Sequence, residues 1–236
     1  MNVKDKVVIV TGASQGIGLA TSRLLSSKGA KVVLAARSFE RLKENEKELS
    51  GSFAVKTDLR KPEDIKKLIA ETVKKFGRVD ILINNAGQGM WKDVEKIDIE
   101  SQKLLMDLNY YAPLLLIQEV VPIMRKEGGG VIINVSSASA KKHVVPNLGA
   151  YASTKYALSG LSLIARAELE KDNITVSVIY PILVLTEFGD HSIFPEPQWL
   201  RHPTEKDHKL PKITPEKVAE KIVELIGTGE AEMVAE

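Results

Sequence analysis

Along the first half of the chain, short runs of β-branched and aliphatic residues alternate with stretches whose apolar positions recur at helical spacing. The runs at 7–10, 31–36, 52–56 and 80–84 have little polar alternation, so they predict strands covered on both faces. Between them, 17–28, 39–49 and 63–76 predict helices. The second of these is charged and surface-facing, and Pro62 suits the opening of the third, where a missing amide costs nothing. The second half continues with a long helical stretch at 97–125, a strand at 131–136, a helix at 151–170, a strand at 174–180 and a helix at 215–226. Pro113 is expected to kink the long helix or mark a shift between two segments, and Gly128, Gly129 and Gly130 to stop it. This alternation calls for parallel pairing through right-handed crossovers. The predicted class is α/β, a doubly wound parallel sheet of seven strands with helices on both faces, the last strand a short edge strand at 230–234.

One stretch breaks the pattern. Residues 181–212 hold Pro195, Pro197, Pro203 and Pro211 together with Phe188, Phe194 and Trp199. Long irregular insertions in compact domains are more often functional than filler, and this one follows the C-terminal end of a strand, where open α/β sheets bind ligands. The whole of 1–236 reads as one catalytic domain, with 182–214 as a substrate-covering loop region.

Composition narrows the partners. The 33 basic and 31 acidic residues nearly cancel, at +2, which gives no support for nucleic acid or an anionic membrane. Absence of cysteine excludes disulfides, thiolate nucleophiles and cysteine-bound metals. No apolar run reaches the roughly 18 residues of a membrane span, and residues 1–6 lack a secretory signal, so a soluble cytoplasmic protein is expected. His143, His191, His202 and His208 lack companion ligands, so no metal site is expected.

Three clusters carry candidate chemistry. The first strand feeds Gly12, Ala13, Ser14, Gln15, Gly16, Ile17 and Gly18, which open the first helix. Strand, glycine turn and helix in that order form the context of a dinucleotide site: Gly12 allows the tight turn, Gly16 clears the pyrophosphate's path, and Gly18 lets helix approach sheet. Free amides at the helix start would face the phosphates. The glycines alone also suit a ligand-free turn, though less well. Tyr151 and Lys155, four apart on a helix, share one face. An ammonium beside a phenol favours phenolate, drawing it down from its usual value of about 10. Ser137 follows the fifth strand and would open on the same crevice, although Ser136, Ser137 and Ser139 equally suit backbone satisfaction at a turn.

Taken in order, these motifs resemble the short-chain dehydrogenase/reductase family over essentially the whole chain, which implies a Rossmann-like fold. Thr11 to Gly18 look like its cofactor turn, Asp58 and Leu59 its adenine contact, and Asn84, Asn85, Ala86 and Gly87 its motif after the fourth strand. Asn109, Ser137, Tyr151 and Lys155 match its catalytic tetrad, and Pro181 with Thr186 its nicotinamide-side segment. Ile182 and Ala140 stand where glycine is common in the family. The resemblance implies hydride exchange between a nicotinamide and a small carbonyl or alcohol, with Tyr151 as general acid/base and Ser137, the second serine of the usual pair, orienting the oxygen. It further implies that Lys155 binds the nicotinamide ribose and supports Tyr151. Asn109 would bend the long fourth helix and anchor a water that links Lys155 to solvent.

The resemblance also speaks to the cofactor. Ala36 takes the usual acidic position after the second strand, and Arg37 follows, with Ser38 as a further donor. That resembles the NADP-preferring pattern and favours NADP(H), with NAD(H) possible; Gln15 adds no second positive charge within the turn. A homodimer or homotetramer through the helices at 101–124 and 152–170 is the family's usual assembly. Gln88, Met90, Trp91, Val144, Val145, Phe188, Phe194 and Trp199 are candidates for an apolar substrate wall. The rival readings are a dinucleotide-binding sensor or scaffold, and an epimerase or dehydratase that retains its cofactor.

Overall fold

The computed structural model describes residues 2–141, 145–189, 192–194 and 212–236. Seven strands build the main sheet: β1 (Val7–Thr11), β2 (Lys31–Ala36), β3 (Phe53–Lys56), β4 (Ile81–Asn84), β5 (Gly130–Val135), β6 (Ile174–Pro181) and β9 (Glu232–Ala235). Their spatial order is β3-β2-β1-β4-β5-β6-β9, and every pairing is parallel. The helices are α1 (Gly16–Ser27), α2 (Phe39–Glu48), α3 (Pro62–Phe76), α4 (Ile99–Met106), α5 (Ala112–Lys126), α6 (Gly149–Leu169) and α7 (Pro215–Thr228). This is the doubly wound Rossmann-like arrangement expected from the alternation of patterns.

Why the strands read as unbroken apolar runs follows from their two faces. Side chains alternate across a strand. Val8 and Val10 enter one core with Leu25 of α1, Leu42 of α2 and Ile222 of α7. Val7 and Ile9 enter the opposite core with Leu68 of α3, Leu116 of α5 and Ala165 of α6. Neither face meets water, so neither needs a polar stripe.

The order also sets where a ligand fits. The chain winds outward from β1 through β2 to β3, then crosses back to lay β4 on the other side of β1. The chain after β1 goes to a helix on one face of the sheet and the chain after β4 to helices on the other, which opens a crevice beside their C-terminal ends.

The helical stretch around Pro113 divides in two. Between α4 and α5 lies a π-helical turn, Asp107–Tyr111, with Asn109 fully buried in it, and Pro113 sits in the first turn of α5. Pro122 is accommodated inside α5, which continues to Lys126. Past β6, two short strands, β7 (Leu183–Val184) and β8 (Lys212–Ile213), pair in parallel and bracket the proline-rich stretch. Much of that stretch, including Pro195, Pro197, Trp199, Pro203 and Pro211, lies outside the described residues, so the expected substrate-covering role of the loop falls there too. Among the described residues, no helix is long and apolar enough to cross a membrane.

Asp80 ties the entrance of β4 to that of β1. Its carboxylate accepts from the Val7 amide at 2.9 Å, from Lys6 Nζ at 3.2 Å, and from Arg78 Nε and Nη2 at 2.9 and 2.6 Å. Burial pushes this carboxyl up, but the hydrogen bonds from Arg78, the Val7 amide and Lys6 outweigh it and hold the acid below its ordinary value. A carboxyl lowered in the fold stabilises it above the unfolded pKa of about 4, and that contribution is lost as pH falls through the folded value. We expect Asp80→Ala to lower unfolding free energy by about 2–3 kcal/mol at neutral pH in denaturant titration. The deficit should shrink as the pH is taken into the acid range.

Candidate active site

Where β1 and β4 end, the backbone itself is stitched together. Thr11 Oγ1 donates to the Ile83 carbonyl at 3.2 Å and accepts from the Asn85 and Ala86 amides at 2.9 and 3.0 Å. Asn85 Nδ2 donates to the Thr11 carbonyl at 2.9 Å. This brings the turn at 85–87 against the glycine turn so closely that a Cβ on Gly18 would stand 2.3 Å from the Gly12 carbonyl oxygen and 2.6 Å from Asn85 Nδ2. Gly12 and Gly16 have φ of +67° and +55°, a region side-chain-bearing residues avoid.

Beyond this seam opens a cleft of about 590 Å³. The glycine turn (Gly12, Ser14, Gln15, Gly16, Ile17) and the turn after β4 (Asn85, Ala86, Gly87) form its floor. Arg37, Ser38, Asp58 and Leu59 also line it, as do Ser137, Tyr151, Lys155, Pro181 and Thr186. Gln15 caps α1 without a side-chain hydrogen bond to the helix, so the first-turn amides keep no side-chain cap. Ser38, likewise, occupies the cap of α2 without bonding to it. A Cβ on Gly16 would come within 3.2 Å of Thr186 Cγ2, so the glycine keeps open the gap between the turn and the segment after β7.

The Tyr151 side of the cleft is arranged around α6. Tyr151 and Lys155 are both buried, one helical turn apart. Lys155 Nζ donates to the Val135 carbonyl at 2.8 Å, at the end of β5, and lies 5.8 Å from the Tyr151 ring centre. Ser137 follows that strand. Its oxygen accepts from Ser139 N at 3.2 Å and Ser139 Oγ at 2.9 Å, which leaves its own hydrogen for the Tyr151 phenol, its partner. Ser136, by contrast, turns inward to the Lys155 carbonyl at 3.1 Å and to Ser159 Oγ at 2.9 Å. The three adjacent serines thus divide into one facing the phenol, one supporting it and one holding α6.

Burial governs the two titratable groups. It pushes the Tyr151 phenol up to about 12, with the hydrogen bond from Ser137 opposing the shift. It pushes the Lys155 ammonium down to about 8. The phenol therefore moves opposite to the direction expected from the adjacent lysine. Loss of water around the ring outweighs attraction to an ammonium that burial itself discourages.

Asn109 stands behind the cleft rather than in its wall. Its Oδ1 accepts from the Gln88 amide at 2.9 Å, and its Nδ2 donates to the Gln88 carbonyl at 2.9 Å and to Thr154 Oγ1 at 3.0 Å. A Cβ on Gly87 would sit 3.3 Å from Asn109 Oδ1 and 3.4 Å from Lys155 Nζ, so Gly87 is the gap through which the two approach each other.

Of the apolar wall candidates, Trp91, Val145 and Phe188 line the cleft. The Phe188 ring meets Tyr151 edge-on, 5.7 Å between centres. Met90 is core, packed with Leu105 and Leu148, and Phe194 packs against the same cluster. The Gln88 side chain instead accepts from Arg60 Nη2 at 2.7 Å. Val144 and Trp199 lie outside the described residues, as do His143, His191, His202 and His208. Among the described residues, no three His, Asp or Glu side chains converge as a metal site would require. Sequence reasoning missed Arg41 and Leu148, both in the cleft wall. A single arginine on a charged helix reads as solvent-facing, and only the tertiary approach of α2 to the glycine turn shows otherwise.

Residues 6–193 match the family described as short chain dehydrogenase. An oxidoreductase of Staphylococcus saprophyticus, itself uncharacterised, is 41% identical over 195 residues, which cover 80% of this chain and 78% of that protein. L-Sorbose reductase of Gluconobacter frateurii, solved with NADPH and L-sorbose, superposes with a TM-score of 0.85 at 29% identity, over 99% of this chain and 96% of that one. The 3-ketoacyl-(acyl-carrier-protein) reductase of Brucella melitensis, solved with NADH, reaches a TM-score of 0.87 at 24% identity over 98% and 96% of the two chains, a likeness of fold. With residues 6–193 matched and its fold shared over nearly the full length, the chain belongs to the short-chain dehydrogenase family of oxidoreductases.

Proposed function

We propose that the protein is an NADP(H)-dependent oxidoreductase that interconverts a small carbonyl compound and its alcohol, with Tyr151 exchanging the hydroxyl proton. The observation that carries this reading is the convergence of Ser137, Tyr151 and Lys155 on a cleft whose floor is an uncapped helix start at a glycine turn. The residues fit a dinucleotide. First-turn amides of α1 would meet the pyrophosphate, Asp58 and Leu59 the adenine, Arg37 and Ser38 the 2′-phosphate, Lys155 the ribose, and Pro181 and Thr186 the nicotinamide side. Among solved structures of this fold one holds NADPH and another NADH, and the missing acid at Ala36 favours the phosphorylated form here. When bound, the nicotinamide supplies hydride exchange with the carbonyl carbon.

The chain's own groups manage the proton. A phenol held protonated by burial suits donation to a developing alkoxide, and Ser137 steadies that oxygen beside it. Lys155, with its ammonium weakened by burial, has a proton it can release and recover near neutrality. Asn109 positions the turn at 87–88 against which Lys155 lies. Trp91, Val145, Leu148 and Phe188 exclude water and favour a substrate with apolar or aromatic groups beside its carbonyl. Ile99, Leu104, Tyr111, Tyr156 and Ile164 expose apolar surface on α4, the π-helical turn after it and α6, which supports assembly of a homodimer or homotetramer through these helices.

Tyr151→Phe should reduce kcat about 10²–10⁴-fold while NADPH binding, followed by fluorescence, is retained. Retained turnover would remove the phenol from the mechanism. Arg37→Asp should raise the KM for NADPH at least about tenfold more than that for NADH, since it replaces a phosphate partner by a repelling carboxylate. Equal changes would deny Arg37 that role. The two directions should also differ in pH response. Reduction uses the protonated phenol and should not gain from alkali, whereas oxidation uses the phenolate and should rise with pH through the neutral and alkaline range. Parallel pH profiles for the two directions would contradict a single proton-exchanging phenol.

A further inference from the structure

Gln15 leaves the glycine turn without the positive charge that a 2′-phosphate would favour there, yet a cation reaches that position from another element. Arg41 lies three residues into α2, and its Nη1 donates to Gln15 Oε1. The same nitrogen stands 3.7 Å from Glu187 Oε2, on the segment that follows β7. Glycine turn, second helix and β7 segment therefore meet at one guanidinium. Arg41, Gln15, Arg37 and Ser38 all line the cleft.

We propose that Arg41 is a second specificity-determining cation, which binds the 2′-phosphate of an adenosine ligand together with Arg37 and replaces the charge that Gln15 lacks. The inference rests on the NADP(H) reading and deepens it. Arg41 and Glu187 have side chains 52% and 61% exposed, so their ion pair is weak and readily exchanged for a doubly charged phosphate. Guanidinium is the suitable group, being charged at every relevant pH and presenting a planar fork to phosphate oxygens. Its hydrogen bond to Gln15 keeps the fork at the turn while Arg37 approaches from the end of β2. In this arrangement Glu187 competes with the phosphate for Arg41, so that binding frees the carboxylate from the contact.

Calorimetric titration of the full, cofactor-free chain with adenosine 2′,5′-bisphosphate and with 5′-AMP tests this without any catalytic readout. Wild type should prefer the bisphosphate. Arg41→Ala should weaken bisphosphate binding about tenfold and leave AMP unchanged, with Arg41→Lys between the two because a point charge replaces the fork. Glu187→Gln should tighten the bisphosphate and not AMP. An Arg41→Ala chain that binds the bisphosphate as wild type does, or that loses both nucleotides equally, overturns the proposal. If Arg37→Ala alone still abolishes the preference, the NADP(H) reading survives that failure. Wild type binding both nucleotides equally would remove the NADP(H) reading, and the role of Arg41 with it.

Discussion

One hydroxyl holds the site's two halves together. Thr11 Oγ1 uses its donor and accepts twice, joining the end of β1 to the carbonyl of Ile83 and the amides of Asn85 and Ala86. Each such bond contributes modestly, on the order of 1 kcal/mol, but leaving buried backbone groups unpaired costs more, so the seam has few alternatives. Because it is closed, the glycine turn and the turn after β4 cannot drift apart. Gly18 and Gly12 are the local price of that closeness, since any Cβ at Gly18 would overlap the Gly12 carbonyl. The crevice beside the seam is the space left once β1 and β4 are locked and their loops must part.

A second tier of buried polar groups fixes the reactive end. Asn84 Nδ2 donates to Asn134 Oδ1 at 2.8 Å, and Asn134 Nδ2 to Ser162 Oγ at 2.7 Å, which ties β4 and β5 to α6 through the core. Ser136 and Ser159 both donate to the Lys155 carbonyl, and Asn109 reaches Thr154, the residue before it. Nearly all of these deep polar atoms pair with one another, Asn84 Oδ1 being without a partner among the described residues. Their joint effect is to set the rotation of α6, so that Tyr151 and Lys155 face the cleft and the apolar face of the same helix meets the sheet.

Much of this was legible in the chain. Val7 to Val10 have no polar alternation because both faces of β1 are covered, so pattern alone yields a parallel sheet. Tyr151 and Lys155 share a face by helical spacing, and the glycines of the first turn need their positions for reasons visible in any strand–turn–helix. What was hidden depends on distance in space. The phenol's upward shift comes from burial, which an adjacent lysine in sequence does not disclose. Asn109 sits in a π-helical turn behind the wall, and Arg41 gains its place only when α2 folds over the glycine turn. Met90 and Trp91 are neighbours in sequence, yet one faces the core and the other the cleft.

The proposed reaction passes a hydride between a nicotinamide and a carbonyl carbon while Tyr151 handles the proton. An isotopic experiment checks it: NADPH with both C4 hydrogens replaced by deuterium, incubated with the protein and a panel of aryl and alkyl ketones and aldehydes, with products read by mass spectrometry. Hydride transfer should yield alcohols carrying one deuterium on the former carbonyl carbon, formed in step with NADP⁺. Alcohol formed without the label, or NADPH bound tightly with no labelled product from any member of the panel, would contradict it.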